Sequence, residues 1–191
     1  MQLKNLSCNF LGKTFDFYEE IDSTQDEIWR LIKSNSIKNG QLVATNIQTK
    51  GKGTHGRVWH TDESNNIAFS FYVEMNKKID STEGLTYEIA ETIVRIFKEK
   101  YDIELQIKKP NDIICNNKKI GGILTESKVS QEMVKFLVIG IGINTCKMYF
   151  TDDIKELATS IKKEFCIEID SLEFISEFCN RFEKIIQKRS E

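Results

Sequence analysis

The segment 48–59 combines glycines with positive charge between two apolar stretches that read as strands. Glycine lets the backbone adopt positive φ and approach a ligand closely, and neighbouring cations attract an anion to the exposed amides. The glycines are Gly51, Gly53 and Gly56, and the cations are Lys50, Lys52 and Arg57. The combination is typical of a loop that holds a phosphate or an activated carboxylate. Taken alone, the segment is more simply explained as a basic surface loop.

A second segment, residues 108–126, contains polar residues that one hairpin would bring together. The Asn-Asn pair at 116–117 interrupts an apolar run and predicts a tight turn between two strands. Across such a hairpin, Asn111 and Asp112 on the first strand lie beside Lys119 on the second, within reach of one ligand. An ordinary surface hairpin would contain similar lysines, because lysine is usually solvated.

The third segment, residues 138–144, is an apolar strand that contains two glycines, Gly140 and Gly142. Glycine inside a strand removes a side chain where another group must come close. Alone, this segment is more simply a core strand with a bulge.

In this order, and with an Ile-Asp-Ser-Thr run upstream at 21–24, the three segments resemble biotin protein ligases. The family pattern is a Gly-Arg-Gly-Arg-x-Gly-x-x-Trp-like loop, then Lys-Trp-Pro-Asn-Asp, then Lys-x-x-Gly-Ile-Leu-x-Glu, then Gly-x-Gly-x-Asn. Its counterparts here are residues 51–59, 108–112, 119–126 and 140–144. Each motif is weak singly, but their joint order and spacing are specific. The resemblance covers roughly residues 14–190, and we expect one catalytic domain over 1–191.

The resemblance implies an ATP-dependent ligase that converts its substrate biotin to biotinyl-5'-AMP with ATP and Mg²⁺. It would then transfer biotin to a lysine of a biotin carboxyl carrier protein of the acetyl-CoA carboxylase type. Joining a carboxylate to a triphosphate needs cations, because both groups are anionic and repel each other. The carrier lysine attacks the adenylate directly, so the enzyme needs no nucleophilic side chain of its own.

By the resemblance, Lys119 is the central cation that touches the biotin carboxylate and the α-phosphate, and Lys52 and Asp112 complete the catalytic set. Asp112 would also help to position Mg²⁺, which prefers one or two carboxylates plus phosphate oxygens. The expected biotin contacts are Ser23, Thr24, Gln48, Gly51, Lys52, Gly53, Lys119 and Gly122. The expected ATP contacts are Arg57, Trp59, Asn111, Asp112 and Asn144. For Trp59 two roles stay open, stacking on adenine or anchoring the end of the loop to the core.

Three positions depart from the family pattern. The mildest is Lys52 for arginine, which keeps the charge but loses the bidentate geometry. Thr54 stands where the family usually has arginine, and a hydroxyl lacks the charge and the donor fork that pair with a phosphate. Lys109 replaces the tryptophan before Pro-Asn-Asp, which removes aromatic surface beside the ligand pocket. We therefore expect looser retention of the adenylate and an altered affinity or specificity for biotin.

Two other functions fit part of the sequence. The first is a lipoate- or octanoate-handling ligase of the same broad fold, which Lys109 allows but the Pro-Asn-Asp and Gly-Ile-Leu-x-Glu runs disfavour. The second is a non-catalytic module that retains biotin or the adenylate without turnover. Ligand binding without pyrophosphate release would identify such a module.

Composition agrees with a globular domain and disfavours several classes of protein. A chain of 191 residues can bury a proper core, and a net charge of −2 argues against bulk binding to nucleic acid. No stretch reads as a signal peptide or a transmembrane segment, so we expect no membrane association. The five cysteines form no Cys-x-x-Cys pair, so we expect neither structural zinc nor disulfides, and a cytoplasmic setting.

The ends of the chain give a further expectation about domains. About a dozen residues precede the first predicted strand, too few for the N-terminal winged helix of ligases that also act as repressors. The chain stops at its last predicted helix, where relatives usually continue into an SH3-like barrel. We expect neither domain, while the oligomeric state stays open.

Hydrophobic periodicity predicts an α+β fold, a mixed and mostly antiparallel sheet backed by helices. Strands are expected at 14–21, 41–48, 66–75 and 133–143, and helices at 82–100, 152–165 and 171–189. Another helix is expected after Ser23, with Asp26 three residues on as in a capping box. The aromatic residues of the last helix keep helical spacing, which predicts core packing.

Overall fold

The computed structural model describes residues 2–61 and 66–190, which form seven strands and four α-helices. The strands are β1 (Phe15–Ile21), β2 (Leu42–Gln48), β3 (Ile67–Lys78), β4 (Gln106–Lys108), β5 (Asp112–Cys115), β6 (Lys118–Ser130) and β7 (Met133–Ile143). The helices are α1 (Thr24–Lys33), α2 (Leu85–Tyr101), α3 (Ile161–Phe165) and α4 (Ser171–Ser190). Short 3₁₀ turns at 54–56 and 79–82 precede β3 and α2.

The strands form one sheet in the order β1-β2-β3-β7-β6-β5-β4. β1 and β2 pair in parallel because α1 crosses over between them. The other neighbouring pairs in the described sheet are antiparallel. The predicted fold class, a mixed and mostly antiparallel sheet backed by helices, is confirmed.

One face of the sheet carries the aromatic core. Side chains alternate between faces along β3, so Phe69 and Phe71 share a face, and both contact Phe178 of α4. The ring centroids of Phe71 and Phe182 are 5.8 Å apart, and both side chains are fully buried. The buried residues of α2 join the same core. The aromatic stripe of α4 is therefore core packing, as predicted.

The opposite face carries α1, which leaves part of the sheet uncovered. Ile28 of α1 packs on Val43, Tyr72 and Val138. Next to this contact the same face has small residues on adjacent strands: Ser70 on β3, Gly140 and Gly142 on β7, and Gly122 on β6. Serine and glycine leave little side chain there, which creates a depression beside the first turn of α1.

The periodic segments have the predicted positions to within a few residues. Residues 133–143 form β7 as expected, and the strand expected at 66–75 continues to Lys78. The hairpin between β5 and β6 turns at Asn116 and Asn117, whose φ angles are 49° and 62°. Positive φ at both central residues is what a tight two-residue hairpin requires. None of the helices in the described part of the chain has the length and apolar character needed to cross a bilayer.

The helix predicted at 152–165 is wrong over most of its length. Residues 152–157 form successive turns, and only Ile161–Phe165 is helical. The backbone of the intervening residues is used by β6, because Lys119 N donates to Leu157 O (2.7 Å) and Thr159 N donates to Lys119 O (2.9 Å). Helix α3 then starts at a new cap, Ser160.

The predicted capping box at α1 is formed only in part. Ser23 is the N-cap, and its Oγ accepts from Asp26 N at 3.4 Å. The reciprocal bond is not made, because Ser23 N donates to Asp22 Oδ1 and the Asp26 carboxylate pairs with Lys52 instead. The first turn of α1 is thereby connected to the glycine-rich segment 48–59 (the glycine loop).

Candidate functional site

Uncharged polar side chains form the inner end of the depression. Thr24, the first residue of α1, donates its backbone N–H to Gln48 Oε1 (2.9 Å), and its Oγ1 lies 2.8 Å from Ser70 Oγ. Ser23 caps the helix beside them. The three residues with hydroxyl side chains, Ser23, Thr24 and Ser70, are each exposed by 3% or less. Hydroxyls and amides can exchange hydrogen bonds with a neutral polar ligand without adding charge.

An ion pair fixes the start of α1 next to this end. Arg30 donates through both terminal nitrogens to Asp22, at 2.8 and 2.7 Å. The hydrogen bonds from Arg30 lower the pKa of Asp22 to about 2. Asp22 therefore stays charged at neutral pH and holds Ser23 in position through the backbone.

Gln25 belongs to the site although no sequence motif pointed to it. Its side chain is 3% exposed and borders the depression. Nε2 donates to Glu126 Oε2 (2.9 Å) and to Val138 O (3.2 Å). Oε1 is buried without a hydrogen-bond partner among the described residues, and a Cβ added to Gly140 would lie 2.7 Å from it. Gln25 directly follows the Ser23-Thr24 pair, and this position in the sequence could have indicated that it belongs to the site.

Cations form the outer end of the depression. Lys119 Nζ lies 2.5 Å from Asp112 Oδ1 and 5.7 Å from the centre of the Trp59 ring. The β5–β6 hairpin brings Lys119 and Asp112 together, which confirms the predicted arrangement across the hairpin. Lys52 forms an ion pair with Asp26 of α1. The depression therefore changes from neutral to positively charged along its length.

Two asparagines hold the backbone around these cations. Asn111 Nδ2 donates to Ile123 O at 3.0 Å, and Ile123 N donates back to Asn111 O at 3.0 Å. Asn144 Nδ2 donates to Thr159 O at 3.1 Å and so connects β7 to the segment before α3. The predicted contacts of both asparagines with ATP stay predictions.

Backbone contacts close the glycine loop upon itself. Trp59 N donates to Gly51 O, and Gly53 N donates to Arg57 O, both at 2.8 Å. A Cβ on Gly51 would collide with the carbonyl oxygen of Trp59, so Gly51 permits loop closure and does not border the depression. Gly56 has a φ of 73°, whereas Gly53 has a φ of −118° that other residues also adopt.

The Trp59 indole lies across the glycines of the sheet. A Cβ on Gly142 would collide with Trp59 Cε2, and a Cβ on Gly122 would lie 3.5 Å from Trp59 Cζ3. Gly122 and Gly142 face each other on β6 and β7. The group that comes close to these glycines is therefore a tryptophan of the same chain, a contact that anchors the loop to the sheet.

The depression opens into two cavities that share part of their walls. The predicted residues that line only the inner cavity are Ser23, Thr24, Gln48, Lys52, Asn111 and Gly122. The predicted residues that line only the outer cavity are Arg57, Asp112 and Asn144. Gly53, Thr54, Trp59 and Lys119 border both. The inner cavity measures about 40 Å³ and the outer one about 410 Å³.

The outer cavity combines positive charge with apolar surface. Its walls include four cations, Arg57, Lys108, Lys119 and Lys147, and one carboxylate, Asp112. They also include the apolar side chains of Val58, Phe150 and Leu157. Excess positive charge attracts a polyanion, and apolar walls suit a planar ring. The cavity can therefore accept a ligand that carries both.

Thr54 and Lys109, the two larger departures from the family pattern, lie in different places. Thr54 borders both cavities at their junction. Lys109 is exposed, lines neither cavity, and places Nζ 5.1 Å from the ring centre of Tyr87 on α2. The Lys109 side chain therefore lies against Tyr87, outside both cavities, and the expected change in biotin affinity or specificity stays a prediction.

The carboxylate available for Mg²⁺ is Asp112. Within residues 2–61 and 66–190 no three His, Cys, Asp or Glu side chains cluster closely enough to enclose a metal ion. Mg²⁺ usually takes one or two carboxylates and completes its shell with phosphate oxygens and water. Asp112 beside the outer cavity therefore fits a Mg²⁺ ion carried by a nucleotide.

Comparison with known proteins identifies relatives of this chain. The Biotin/lipoate A/B protein ligase family matches residues 17–144. The "Bifunctional ligase/repressor BirA" of Bacillus subtilis is 34% identical over 181 residues, which are 94% of this chain and 55% of that protein. The chain thus spans about half the length of this relative.

Solved structures show the same fold. A biotin protein ligase from Aquifex aeolicus in complex with biotin and ATP superposes with a TM-score of 0.76 and 26% identity, covering 93% of this chain and 72% of that one. A biotin protein ligase from Leishmania major in complex with biotinyl-5-AMP gives a TM-score of 0.75 and 25% identity, covering 92% and 76%. The protein is therefore a member of the Biotin/lipoate A/B protein ligase family.

Proposed function

We propose that this protein is an ATP-dependent biotin protein ligase. It activates biotin to biotinyl-5'-AMP and transfers biotin to a lysine of a biotin carboxyl carrier protein of the acetyl-CoA carboxylase type. The observation that carries the proposal is the meeting of two cavities at Gly53, Thr54, Trp59 and Lys119. A reaction between two bound molecules needs such a junction, because their reacting atoms must come within about 3–3.5 Å of each other.

The polarity of the inner cavity matches the two ends of biotin. Its neutral end offers hydroxyls and amides at Ser23, Thr24 and Gln48 for the uncharged ureido ring. Its cationic end offers Lys119 and Lys52 for the carboxylate. The Trp59 indole lines this cavity and lies against Gly122 and Gly142, so we expect biotin to contact it on binding.

The outer cavity suits ATP. Its cations neutralise the triphosphate, and its apolar walls cover the adenine. Asn144 lines this cavity, and its backbone N–H donates to Ile120 O at 2.8 Å, one residue after Lys119. We propose Asp112 as the protein ligand of Mg²⁺, which when bound offsets phosphate charge.

In the first step a biotin carboxylate oxygen attacks the α-phosphorus of ATP. The bond to the bridging oxygen of the β-phosphate breaks, and pyrophosphate leaves with the electron pair. Lys119 stabilises the negative charge that builds up between carboxylate and phosphate. In the second step the unprotonated amine of the carrier lysine attacks the acyl carbon. The bond from that carbon to the phosphate oxygen breaks, AMP leaves with the electron pair, and the nitrogen loses a proton to solvent.

Pyrophosphate release tests the first step. We expect release that depends on biotin, ATP and Mg²⁺, with little release when lipoate or octanoate replaces biotin. Lys119→Ala should reduce it at least about 100-fold, as for removal of a group that stabilises transition-state charge. Lys118→Ala is the matched control, because Lys118 precedes it in the chain but contacts Glu156 and the Lys155 carbonyl outside both cavities.

The outcomes separate the alternative functions. Release with lipoate and not with biotin would identify a lipoate-type ligase. Biotin binding by calorimetry without any release would identify a non-catalytic module. Equal release from the parent and Lys119→Ala would remove Lys119 from the mechanism.

The setting of the reaction is also proposed. We take residues 1–191 as one catalytic domain. The strands of the matched region belong to one seven-stranded sheet, and both cavities are lined by residues of that sheet and of its connecting segments. The cysteines of the chain are free thiols, which fits a cytoplasmic enzyme. Incubation with a carrier domain, biotin and ATP should add one biotin to its acceptor lysine, detectable by mass.

A further inference from the structure

Glu126 connects strand β6 to helix α1 through one carboxylate oxygen. Oε2 accepts hydrogen bonds from Trp29 Nε1 at 2.7 Å and from Gln25 Nε2 at 2.9 Å. Trp29 is held in turn by an edge contact with Phe136, with ring centres 5.7 Å apart. The carboxylate therefore has a fixed place between two side chains of α1.

These bonds determine which way the Gln25 amide faces. Its NH₂ group has two hydrogens, and Nε2 donates to Glu126 Oε2 and to Val138 O. Turning the amide over would direct its oxygen at a carboxylate and a carbonyl, two acceptors that cannot donate. Because such contacts leave buried groups unsatisfied, Oε1 must point the other way.

That orientation leaves a buried acceptor at the neutral end of the inner cavity. Gln25 and Gly140 both line the cavity, and Oε1 lies where a side chain on Gly140 would otherwise stand. Oε1 has no hydrogen-bond partner among the described residues. Buried oxygens in folded proteins nearly always have a donor, so a ligand N–H would complete this one.

We propose that Glu126 is a positioning residue that selects a ligand with an N–H group at the neutral end of the inner cavity. It acts through Gln25, whose oxygen it keeps turned to the ligand. The inference rests on the proposed function and deepens it: the cyclic urea of biotin has N–H donors, whereas the dithiolane of lipoate and the alkyl chain of octanoate have none. Glu126 is thus a determinant of specificity that does not touch the reacting atoms.

The test is the substitution Glu126→Gln in the full chain. A glutamine at 126 keeps an acceptor oxygen for Trp29 and Gln25 but removes its negative charge. A neutral acceptor binds these two donors about half as strongly, so the Gln25 amide is held less firmly toward the cavity. We expect the Kd for biotin, measured by calorimetry, to rise about ten-fold, as for a charge-assisted hydrogen bond that becomes a neutral one. The KM for biotin should rise in parallel while the KM for ATP stays within about two-fold, since Glu126 does not line the outer cavity.

Glu74→Gln is the matched control, because it makes the same chemical change on exposed Glu74 of β3. Trp29→Phe is a second variant, which removes one donor to Glu126 and keeps an aromatic ring against Phe136. Trp29→Phe should weaken biotin binding by a smaller factor and leave the KM for ATP unchanged. If Glu126→Gln does not fold, Trp29→Phe provides the test in its place.

Each outcome has one meaning. Weaker biotin binding in Glu126→Gln or Trp29→Phe, with normal binding in Glu74→Gln, supports the inference. An unchanged Kd for biotin in folded Glu126→Gln, or equal losses for biotin and ATP, overturns it and leaves the proposed function intact. A parent protein that binds no biotin overturns the proposed function and the inference with it.

Discussion

Lys119 has weak partners, which suits a residue that must change partners during a reaction. The Asp112 carboxylate is 2.5 Å from Nζ, but the two side chains are 25% and 33% exposed, so solvent screens their attraction. A phosphate or carboxylate that enters the junction can therefore replace Asp112 with little loss of free energy. Asp112 then becomes available to the nucleotide side of the site.

Thr54 at the junction gives a prediction about retention of the adenylate. Its hydroxyl carries no charge toward a phosphate, so we expect the parent to release part of its adenylate into solution. Thr54→Arg should lower the free fraction about ten-fold, because an added charge-assisted hydrogen bond contributes roughly 1.5–3 kcal/mol. Free adenylate would be measured in the filtrate after single-turnover reactions.

Thr54→Val is the control, since it keeps the size of the side chain without adding charge. Equal free fractions in Thr54→Arg and the parent would show that position 54 does not control retention.

The individual residues that the sequence revealed lie in continuous motifs. Lys119, Asp112 and the Ser23-Thr24 pair were recognised because their neighbours in the chain are part of the pattern. The bond between Gln25 and Glu126 joins residues 101 positions apart, and no local pattern encodes such a contact. Which way Lys109 points could not be predicted either, because it depends on Tyr87 of another element.

Closure of the glycine loop depends more on Gly51 than on Gly53. A Cβ on Gly51 would collide with the Trp59 carbonyl, whereas a Cβ on Gly53 would have its nearest neighbour at 3.4 Å, an ordinary contact. Gly51→Ala should therefore break the hydrogen bond from Trp59 N to Gly51 O. We expect hydrogen exchange at the Trp59 amide to accelerate at least about ten-fold, as for local opening.

Gly53→Ala is the matched control for loop closure, and exchange at Trp59 should stay within about three-fold of the parent. Similar acceleration in both variants would mean that any side chain in the loop disturbs it, and that the Gly51 contact is not special.

Elements were predictable where their own sequence is periodic. α2 and α4 each bury one repeating face, and β7 is a long apolar run, so their positions could be predicted from hydrophobic spacing. The segment 152–159 has a helical composition, but the β6 backbone at Lys119 competes for its hydrogen bonds. Such competition between distant segments cannot be predicted from either segment alone.

At the scale of the whole molecule, Glu183 of α4 holds the N-terminal segment in place. Its carboxylate accepts the backbone N–H groups of Asn9 (2.6 Å), Phe10 (2.9 Å) and Leu11 (2.8 Å). Burial raises the pKa of Glu183, but the three backbone donors outweigh that effect and hold the pKa below its usual range. The contact joins residues about 172 positions apart, which is why the docking of this segment was not predicted.

This contact predicts a dependence of stability on pH. Because the pKa is lower in the folded state, the stabilisation is fully present above the unfolded pKa of about 4.3 and is lost as the pH falls through the folded pKa. Glu183→Gln should lower the free energy of unfolding by about 2 kcal/mol at pH 7. In urea titrations the difference from the parent should shrink below about pH 4.5.

Glu173→Gln on the same helix is the control. Glu173 pairs with Lys100 at the surface and its side chain is 49% exposed, so its loss should change stability by about 0.5 kcal/mol or less. If the free energy of unfolding of the parent and of Glu183→Gln depends on pH in the same way, Glu183 does not stabilise the N-terminal segment as a carboxylate.

The most direct test of the central claim is whether the acyl adenylate forms where the two cavities meet. The measurement is mass spectrometry of a single-turnover mixture of the protein with biotin, ATP and Mg²⁺. The account predicts close to one biotinyl-5'-AMP per active chain in the parent and in Lys118→Ala, and almost none in Lys119→Ala. Bound biotin and intact ATP without any adenylate would contradict it.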